Sequence, residues 1–282
     1  MQTIAQAVMA KPPIHSKAYL PREHGATAML LTPIFGVAVL ARTWHWGELA
    51  VAMAAFAALS AKDPAVLLVR QKFIWKRRSP ESSAATRWLL GWGVLLIASV
   101  LVLFRTWPLT SFMAIGAGIA AFAGLAVAVN LKNRQRSTIF QIASAAALTS
   151  TSVATCIAAT GRVTPWCWWF WALSAMQASA GILVVHARLD ARIALRKSVP
   201  VSRQFRVAAQ AAIGVLLLSS AAATLLRHGW IAAALALAAL GYLYDLMRQR
   251  NAVCLQMPLK TVGLQALVLS SLFAALVIAD LW

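Results

Sequence analysis

The most constraining feature of this chain is a series of long apolar segments separated by short basic loops. A helix needs about 20 consecutive apolar residues to cross a bilayer, and about nine segments approach that length. Only 12% of the residues are charged, whereas a soluble domain carries about 25%. The sequence therefore predicts an all-α, polytopic integral membrane protein. The predicted spans are residues 27–41, 48–70, 88–104, 107–130, 138–160, 166–187, 207–226, 229–247 and 261–282.

The basic residues are divided unevenly between the two sides of this predicted bundle. If the N-terminus and every second loop share one side, that side carries 22 of the 26 Lys and Arg residues. Cytoplasmic loops are enriched in Lys and Arg. The N-terminus is therefore predicted in the cytoplasm and, with an odd number of spans, the C-terminus outside.

The net charge of +19 reflects this loop enrichment, so we expect no nucleic-acid partner. Residues 1–20 are predicted to be a cytoplasmic segment, and residues 21–282 a single transmembrane domain.

Ionisable residues inside the apolar segments cluster toward the predicted cytoplasmic side. Such residues usually face a cavity or one another. On the second predicted helix, Lys62 and Asp63 precede Pro64, and Arg70 follows on the face of Asp63. Pro64 removes a backbone hydrogen bond, and irregular backbone at membrane depth is tolerated where it lines a cavity. The alternative is a lysine that extends to the membrane surface beside a counter-charge.

The sixth predicted helix ends with a second group of polar residues. His186 and Asp190 are one helical turn apart, so the carboxylate can orient the imidazole. Arg188, Arg192 and Arg196 repeat every four residues and form a basic stripe on the same helix. Arginine suits phosphate and carboxylate groups, and the alternative is a collar that binds anionic lipid headgroups.

Two further polar groups lie on the same predicted side. The connection between the fourth and fifth helices contains Asn130, Asn133 and Arg134, whose donors suit an anion better than acid–base chemistry. At the end of the eighth helix, we expect Asp245 to pair with Arg248, three residues later.

The cysteines match no metal-ligand spacing, so we predict no metal site. Cys156 and Cys167 lie near the predicted outer ends of adjacent helices, where they could form a disulfide. The favoured interpretation is that they are isolated small apolar side chains.

A short motif opens the first predicted helix, Pro21-Arg22-Glu23-His24-Gly25-Ala26. Glu23 and His24 are the best acid–base candidates because histidine titrates near neutral pH. The alternative is that they cap the helix, where an acidic residue is favoured. The motif resembles the signature of the YwiC-like family of bacterial membrane proteins, P-x-x-H-G-A-W-A-M-L, with Thr27 at the aromatic position. This resemblance implies a multi-pass protein of the bacterial inner membrane.

The arrangement also resembles that of UbiA-type intramembrane prenyltransferases. That resemblance implies a UbiA-like helical bundle, in which two Asp-rich motifs would hold Mg²⁺ against a prenyl diphosphate. Here Asp63 is the one aspartate at the first motif, and His186 and Asp190 stand at the second. Two isolated aspartates are too few for a Mg²⁺ cluster. We therefore expect neither a metal nor another cofactor.

Three function hypotheses follow from these observations. The first is a cytoplasm-facing pocket, formed by at least the first, second, fourth and sixth helices, that binds an amphiphile with an anionic head: an isoprenoid, a quinone-like lipid or a phospholipid. Arginines would replace the metal, and any catalysis would fall to His24 with Glu23 and Asp63.

The second hypothesis is a metal-dependent prenyltransferase. The third is a transporter or a non-catalytic assembly partner, although nearly uncharged outer helix halves argue against an ion path. The sequence does not decide whether the protein is an enzyme.

Overall fold

The computed structural model describes residues 24–76, 81–131 and 137–282. Within these ranges all regular structure is helical, with no strand. A π-helical turn, Gln71–Trp75, follows α2. The α-helices are α1 (His24–Ala41), α2 (Trp46–Arg70), α3 (Ser82–Thr106), α4 (Leu109–Leu131), α5 (Thr138–Thr149), α6 (Thr151–Thr160), α7 (Pro165–Lys197), α8 (Arg203–Leu225), α9 (Gly229–Arg248), α10 (Ala252–Leu255) and α11 (Leu259–Leu281).

The described helices confirm the prediction of an all-α, polytopic membrane protein. Eight helical segments are long and apolar enough to cross a membrane. They correspond to α2, α3, α4, α5 with α6, α7, α8, α9 and α11. In α1 the apolar stretch is shorter, Met29–Ala41.

Helix α1 connects two apolar cores. Leu30 and Ile34 pack in a core with side chains from α2, α3 and α6. Val37 packs in the other core, which α7, α8, α9 and α11 complete. Between them, Gly36 faces the fully buried ring of Phe170 on α7, and a Cβ at this position would lie 2.3 Å from Phe170 Cζ. The chain needs glycine here because α1 and α7 approach each other so closely.

Helix α4 lies at the edge of the bundle, against α2 and α3. In its span Leu109–Ala126, none of the side chains that the structure describes is buried within the protein. Part of α4, including Phe112 and Ile119, borders a cavity between the helices, and we expect the rest of this apolar edge helix to face lipid.

The predicted span 138–160 is interrupted at Ser150, which separates α5 from α6. Hydroxyl groups at this break bond to nearby carbonyls: Ser150 Oγ donates to Ala147 O (2.7 Å), and Thr149 Oγ1 donates to Ala145 O (2.9 Å). Such side-chain bonds compete with the helical ladder and bend helices. The sequence interpretation missed this break.

Helix α7 is longer than predicted. It begins at Pro165 and ends at Lys197, whereas the sequence indicated residues 166–187. Its 33 residues extend over about 50 Å, well beyond the roughly 30 Å of a hydrocarbon core. The predicted cytoplasmic end of α7 therefore continues past the bilayer.

Two acidic side chains near the predicted outer side cap the N-termini of helices. Glu48 is fully buried and accepts hydrogen bonds from Thr43 Oγ1 (3.0 Å) and His45 N (3.2 Å). Asp280 accepts from Trp230 N (2.9 Å) at the start of α9 and contacts His228 Nδ1 (2.7 Å). Both carboxylates therefore serve as helix caps, a role favoured by the positive end of the helix dipole.

Cys156 and Cys167 form a disulfide between α6 and α7, with their Cα atoms 6.4 Å apart. The favoured interpretation of two isolated cysteines was therefore wrong. The reason is geometric, because the short turn around Gly161 folds α6 back against α7.

A candidate amphiphile-binding cavity

A cavity of about 2150 Å³ runs between the helices, and its wall is mainly apolar. Side chains from α1 to α7, α9 and α11 line it. This set includes side chains from the first, second, fourth and sixth predicted spans, and the predicted ligand pocket stays a prediction. Drug-sized ligands occupy pockets of about 300–1,000 Å³, so this space suits a larger, lipid-like molecule.

The charged side chains of the cavity wall share one location. Among the described residues they all lie in or beside the helix halves that the charge pattern assigns to the cytoplasm, with Lys62 and Asp63 about two turns before the end of α2. They are Lys62, Asp63, Arg70, Glu81, Asp245 and Arg248. The opposite end is lined by apolar and aromatic residues such as Leu103, Trp107 and Phe112. The cavity thus has a charged end and an apolar body.

Arg188 occupies a different environment from the one predicted. Its side chain is 1% exposed, and its guanidinium pairs with Asp245 on α9. It also donates to Cys254 O at 2.9 Å. Arg188 is not among the residues that line the cavity. Its charge instead joins α7 to α9 through the ion pair with Asp245.

The predicted Asp245–Arg248 pair was wrong. Besides Arg188, the Asp245 carboxylate accepts from Gln249 Nε2 at 3.1 Å. The Arg248 guanidinium instead lies over the ring of Tyr244, 5.5 Å from its centroid. Sequence spacing favoured the local partner, but packing of α7 on α9 brings a more distant cation to the carboxylate.

The predicted His186–Asp190 interaction is replaced by contacts with other segments. His186 Nδ1 lies 3.1 Å from Thr138 Oγ1 at the start of α5. Asp190 Oδ2 accepts from Ser202 N at 2.8 Å, just before α8. The Asp190 carboxylate therefore anchors the loop before α8, and the His186 imidazole contacts Thr138 on α5.

The remaining predicted residues are only partly placed. Arg192 is half-buried on α7 and does not line the cavity. The structure describes the backbone of His24 in α1 and of Asn130 in α4, but not their side chains. Glu23, Asn133 and Arg134 fall outside the described residues. Of the candidate residues whose side chains are described, Lys62, Asp63 and Arg70 are thus the ones that line the cavity.

The structure adds polar cavity residues that the sequence interpretation missed. Gln177 on α7, Tyr242 on α9 and Ser270 on α11 meet in the wall. Each is a polar group within an apolar segment, a signal that could have identified it individually. These three side chains come together through the packing of α7, α9 and α11, which a local sequence pattern does not predict.

The break between α5 and α6 borders the same cavity. Ser150 and Thr151 line it, and Thr151 Oγ1 donates to Leu30 O of α1 at 3.0 Å. On the other side of the break, Trp171 Nε1 donates to Ala146 O at 2.9 Å. Discontinuous backbone at membrane depth is tolerated where protein or a cavity surrounds it, and both conditions apply here.

Comparison with known families agrees with the N-terminal motif. Residues 20–156 match the family model described as YwiC-like protein. This part of the chain is YwiC-like. It comprises α1 to α5 and α6 as far as Cys156, and it includes Lys62, Asp63 and Arg70. No curated protein and no solved structure matches the chain, and the UbiA-like arrangement stays a prediction.

Proposed function

We propose that this membrane protein binds, from the cytoplasmic side, an amphiphile with an anionic head. The candidates remain an isoprenoid, a quinone-like lipid or a phospholipid. The observation that carries the proposal is the cavity itself, whose apolar body ends at a group of charged side chains. An acyl or prenyl chain would occupy the body, and the head would lie at the charged end.

Arg70 and Arg248 are the best candidates to hold the anion. Both guanidinium groups belong to cavity residues, and arginine matches carboxylate and phosphate in a forked geometry. Asp245 forms an ion pair with Arg188, so its negative charge repels a bound anion less than an unpaired carboxylate would. Arg248 therefore takes the role that the sequence suggested for Arg188.

Any chemistry would fall to Asp63 in the cavity wall, together with His24 and Glu23. Asp63 is exposed and lines the cavity, and His24 opens α1, a helix that supplies two cavity residues, Met29 and Leu30. These acid–base roles are proposals, and they rest on the general ability of a histidine side chain to exchange protons near neutral pH.

Binding is proposed to be independent of Mg²⁺. No three His, Cys, Asp or Glu side chains gather as a candidate metal site in the described part of the chain. Around Asp63 the cations Lys62 and Arg70 would attract the anion directly.

Native mass spectrometry of gently extracted protein tests the proposal. A lipid should co-purify, and its occupancy should fall roughly tenfold in Arg70→Gln or Arg248→Gln, the loss expected for one charge-assisted contact. Arg203→Gln is the matched control, because Arg203 is exposed on the same predicted side and does not line the cavity. Protein without bound lipid, or equal occupancy in all four proteins, would contradict the proposal.

The same protein also distinguishes the prenyltransferase alternative. Binding of an anionic amphiphile should weaken with added salt and be unchanged by a chelator. Binding of a prenyl diphosphate that is lost with a chelator and restored by Mg²⁺ would favour the metal-dependent enzyme instead.

A further inference from the structure

A polar junction interrupts the apolar body of the cavity. Gln177 Nε2 donates to Tyr242 Oη (2.6 Å) and to Ser270 Oγ (3.0 Å). Tyr242 Oη in turn donates to Gln177 O (3.1 Å). These bonds use both hydrogens of the Gln177 amide and the hydrogen of the phenol.

Two hydrogen-bonding groups of this junction are left over. Gln177 Oε1 accepts no hydrogen bond from the described residues, and Ser270 Oγ accepts one but donates none among them. Gln177 is only 5% exposed, yet both residues line the cavity. Neither atom is a buried unpaired atom, so both are accessible from the cavity, and a bound molecule that pairs with them adds hydrogen bonds there.

The junction lies deeper in the bundle than the arginine of the charged end on α9. Tyr242 precedes Arg248 by six residues on α9, a separation of about 9 Å along the helix axis. Gln177 lies twelve residues after the start of α7 at Pro165, or about 18 Å from the predicted outer end. Gln177, Tyr242 and Ser270 are all uncharged and offer no counter-charge, and an unpaired charge in a membrane interior is costly, so the group that binds here is uncharged.

We propose that the junction binds a hydroxyl group carried on the chain of the amphiphile. A hydroxyl donates one hydrogen bond and accepts another, and thus satisfies Gln177 Oε1 and the Ser270 O–H together. A ketone, ester or ether oxygen would only accept, which leaves the Gln177 oxygen unpaired. The inference rests on the proposed function and makes its ligand more specific: a long-chain anionic amphiphile with an uncharged hydroxyl along its chain.

A matched pair of probes tests this assignment. The protein in detergent is titrated with 12-hydroxystearate and with stearate, which share the anionic head and the chain but differ in the hydroxyl. We expect the hydroxylated probe to bind roughly tenfold more tightly, as one or two buried hydrogen bonds would give. Ser270→Ala and Gln177→Leu should remove this preference, so that each variant binds the two probes with equal affinity.

Two control variants separate binding from folding. Ser270→Thr keeps a hydroxyl at the junction and should retain the preference. Ser220→Ala removes a similar interhelical bond, from Ser220 Oγ to Ala232 O (2.7 Å), at a position outside the cavity wall, and should also retain it.

The outcomes distinguish the two levels of the proposal. Equal affinity for the two probes in the unmodified protein, or a preference that survives both Ser270→Ala and Gln177→Leu, would overturn the hydroxyl site while leaving amphiphile binding intact. Failure to bind either probe, with no co-purifying lipid, would overturn the proposed function as well.

Discussion

At the scale of single residues, Arg188 is the clearest case of a side chain whose role depends on its tertiary partner. Its guanidinium is buried and paired with Asp245. Removing the arginine leaves the partly exposed Asp245 carboxylate without its cation and Cys254 O without its donor, and breaking such a pair costs at most about 3–5 kcal/mol. We therefore expect Arg188→Gln to lower the unfolding temperature in detergent strongly.

Two variants serve as controls for this prediction. Arg192→Gln alters a half-buried arginine one turn later on α7 and should change the unfolding temperature little. Replacing both partners, Arg188→Met with Asp245→Leu, should recover much of the loss, because no buried charge remains unpaired. Normal stability of Arg188→Gln would show that the pair is not needed for folding.

Gly36 gives a second prediction at the residue scale. A methyl group at this position would overlap the Phe170 ring, which has no free space around it because it is fully buried. Overpacking of this kind costs about 1–3 kcal/mol, so Gly36→Ala should unfold at a lower temperature. Gly214→Ala is the control: no atom lies within 4 Å of the added methyl, and alanine favours a helix over glycine. Equal thermal stability of the two variants would contradict the close α1–α7 contact.

At the scale of elements, the disulfide fixes the junction of α6 and α7. In denatured protein, a thiol-specific alkylating reagent should modify Cys254 alone before reduction, and all three cysteines after reduction. The reason is that Cys156 and Cys167 are bonded, whereas Cys254 is free. Mass spectrometry counts the labels. Three labels without prior reduction would show that the bond does not form in the membrane.

The same disulfide bears on the orientation of these helices. Disulfides persist on the oxidising side of a bacterial inner membrane and are rare in the cytoplasm. The charge distribution also assigns the junction of α6 and α7 to the outer side. The two independent arguments support one orientation.

At the scale of the whole molecule, that orientation is itself testable. A reporter that is active only outside the cytoplasm should be active when fused after Trp282 and silent when fused at Ser82. The expectation follows from the 22 Lys and Arg residues on the predicted cytoplasmic side. The reverse pattern would place the charged end of the cavity outside the cell and contradict the proposed access route.

The sequence predicted the helices well because each apolar segment carries its own signal. The interpretation of single residues was less successful wherever two partners are distant in sequence. His186 contacts Thr138, and Arg188 contacts Asp245, at separations of 48 and 57 residues. The run Thr149-Ser150-Thr151-Ser152 was a local signal of the break between α5 and α6, since hydroxyl residues bond back to the helix backbone.

The amino-acid sequence by itself determined the membrane character, the helical class and the family resemblance. The physical reason is that transfer of an apolar segment into a bilayer is a local property, and every backbone group in such a segment must pair within its own helix. Tertiary structure decided which polar groups meet. Lys62, Asp63 and Arg70 line the cavity. Arg188 instead forms an ion pair that joins α7 to α9. Gln177 forms hydrogen bonds with Tyr242 and Ser270. Between helices these contacts depend on close packing and on buried hydrogen bonds, which are properties of neighbours in space and not of neighbours along the chain.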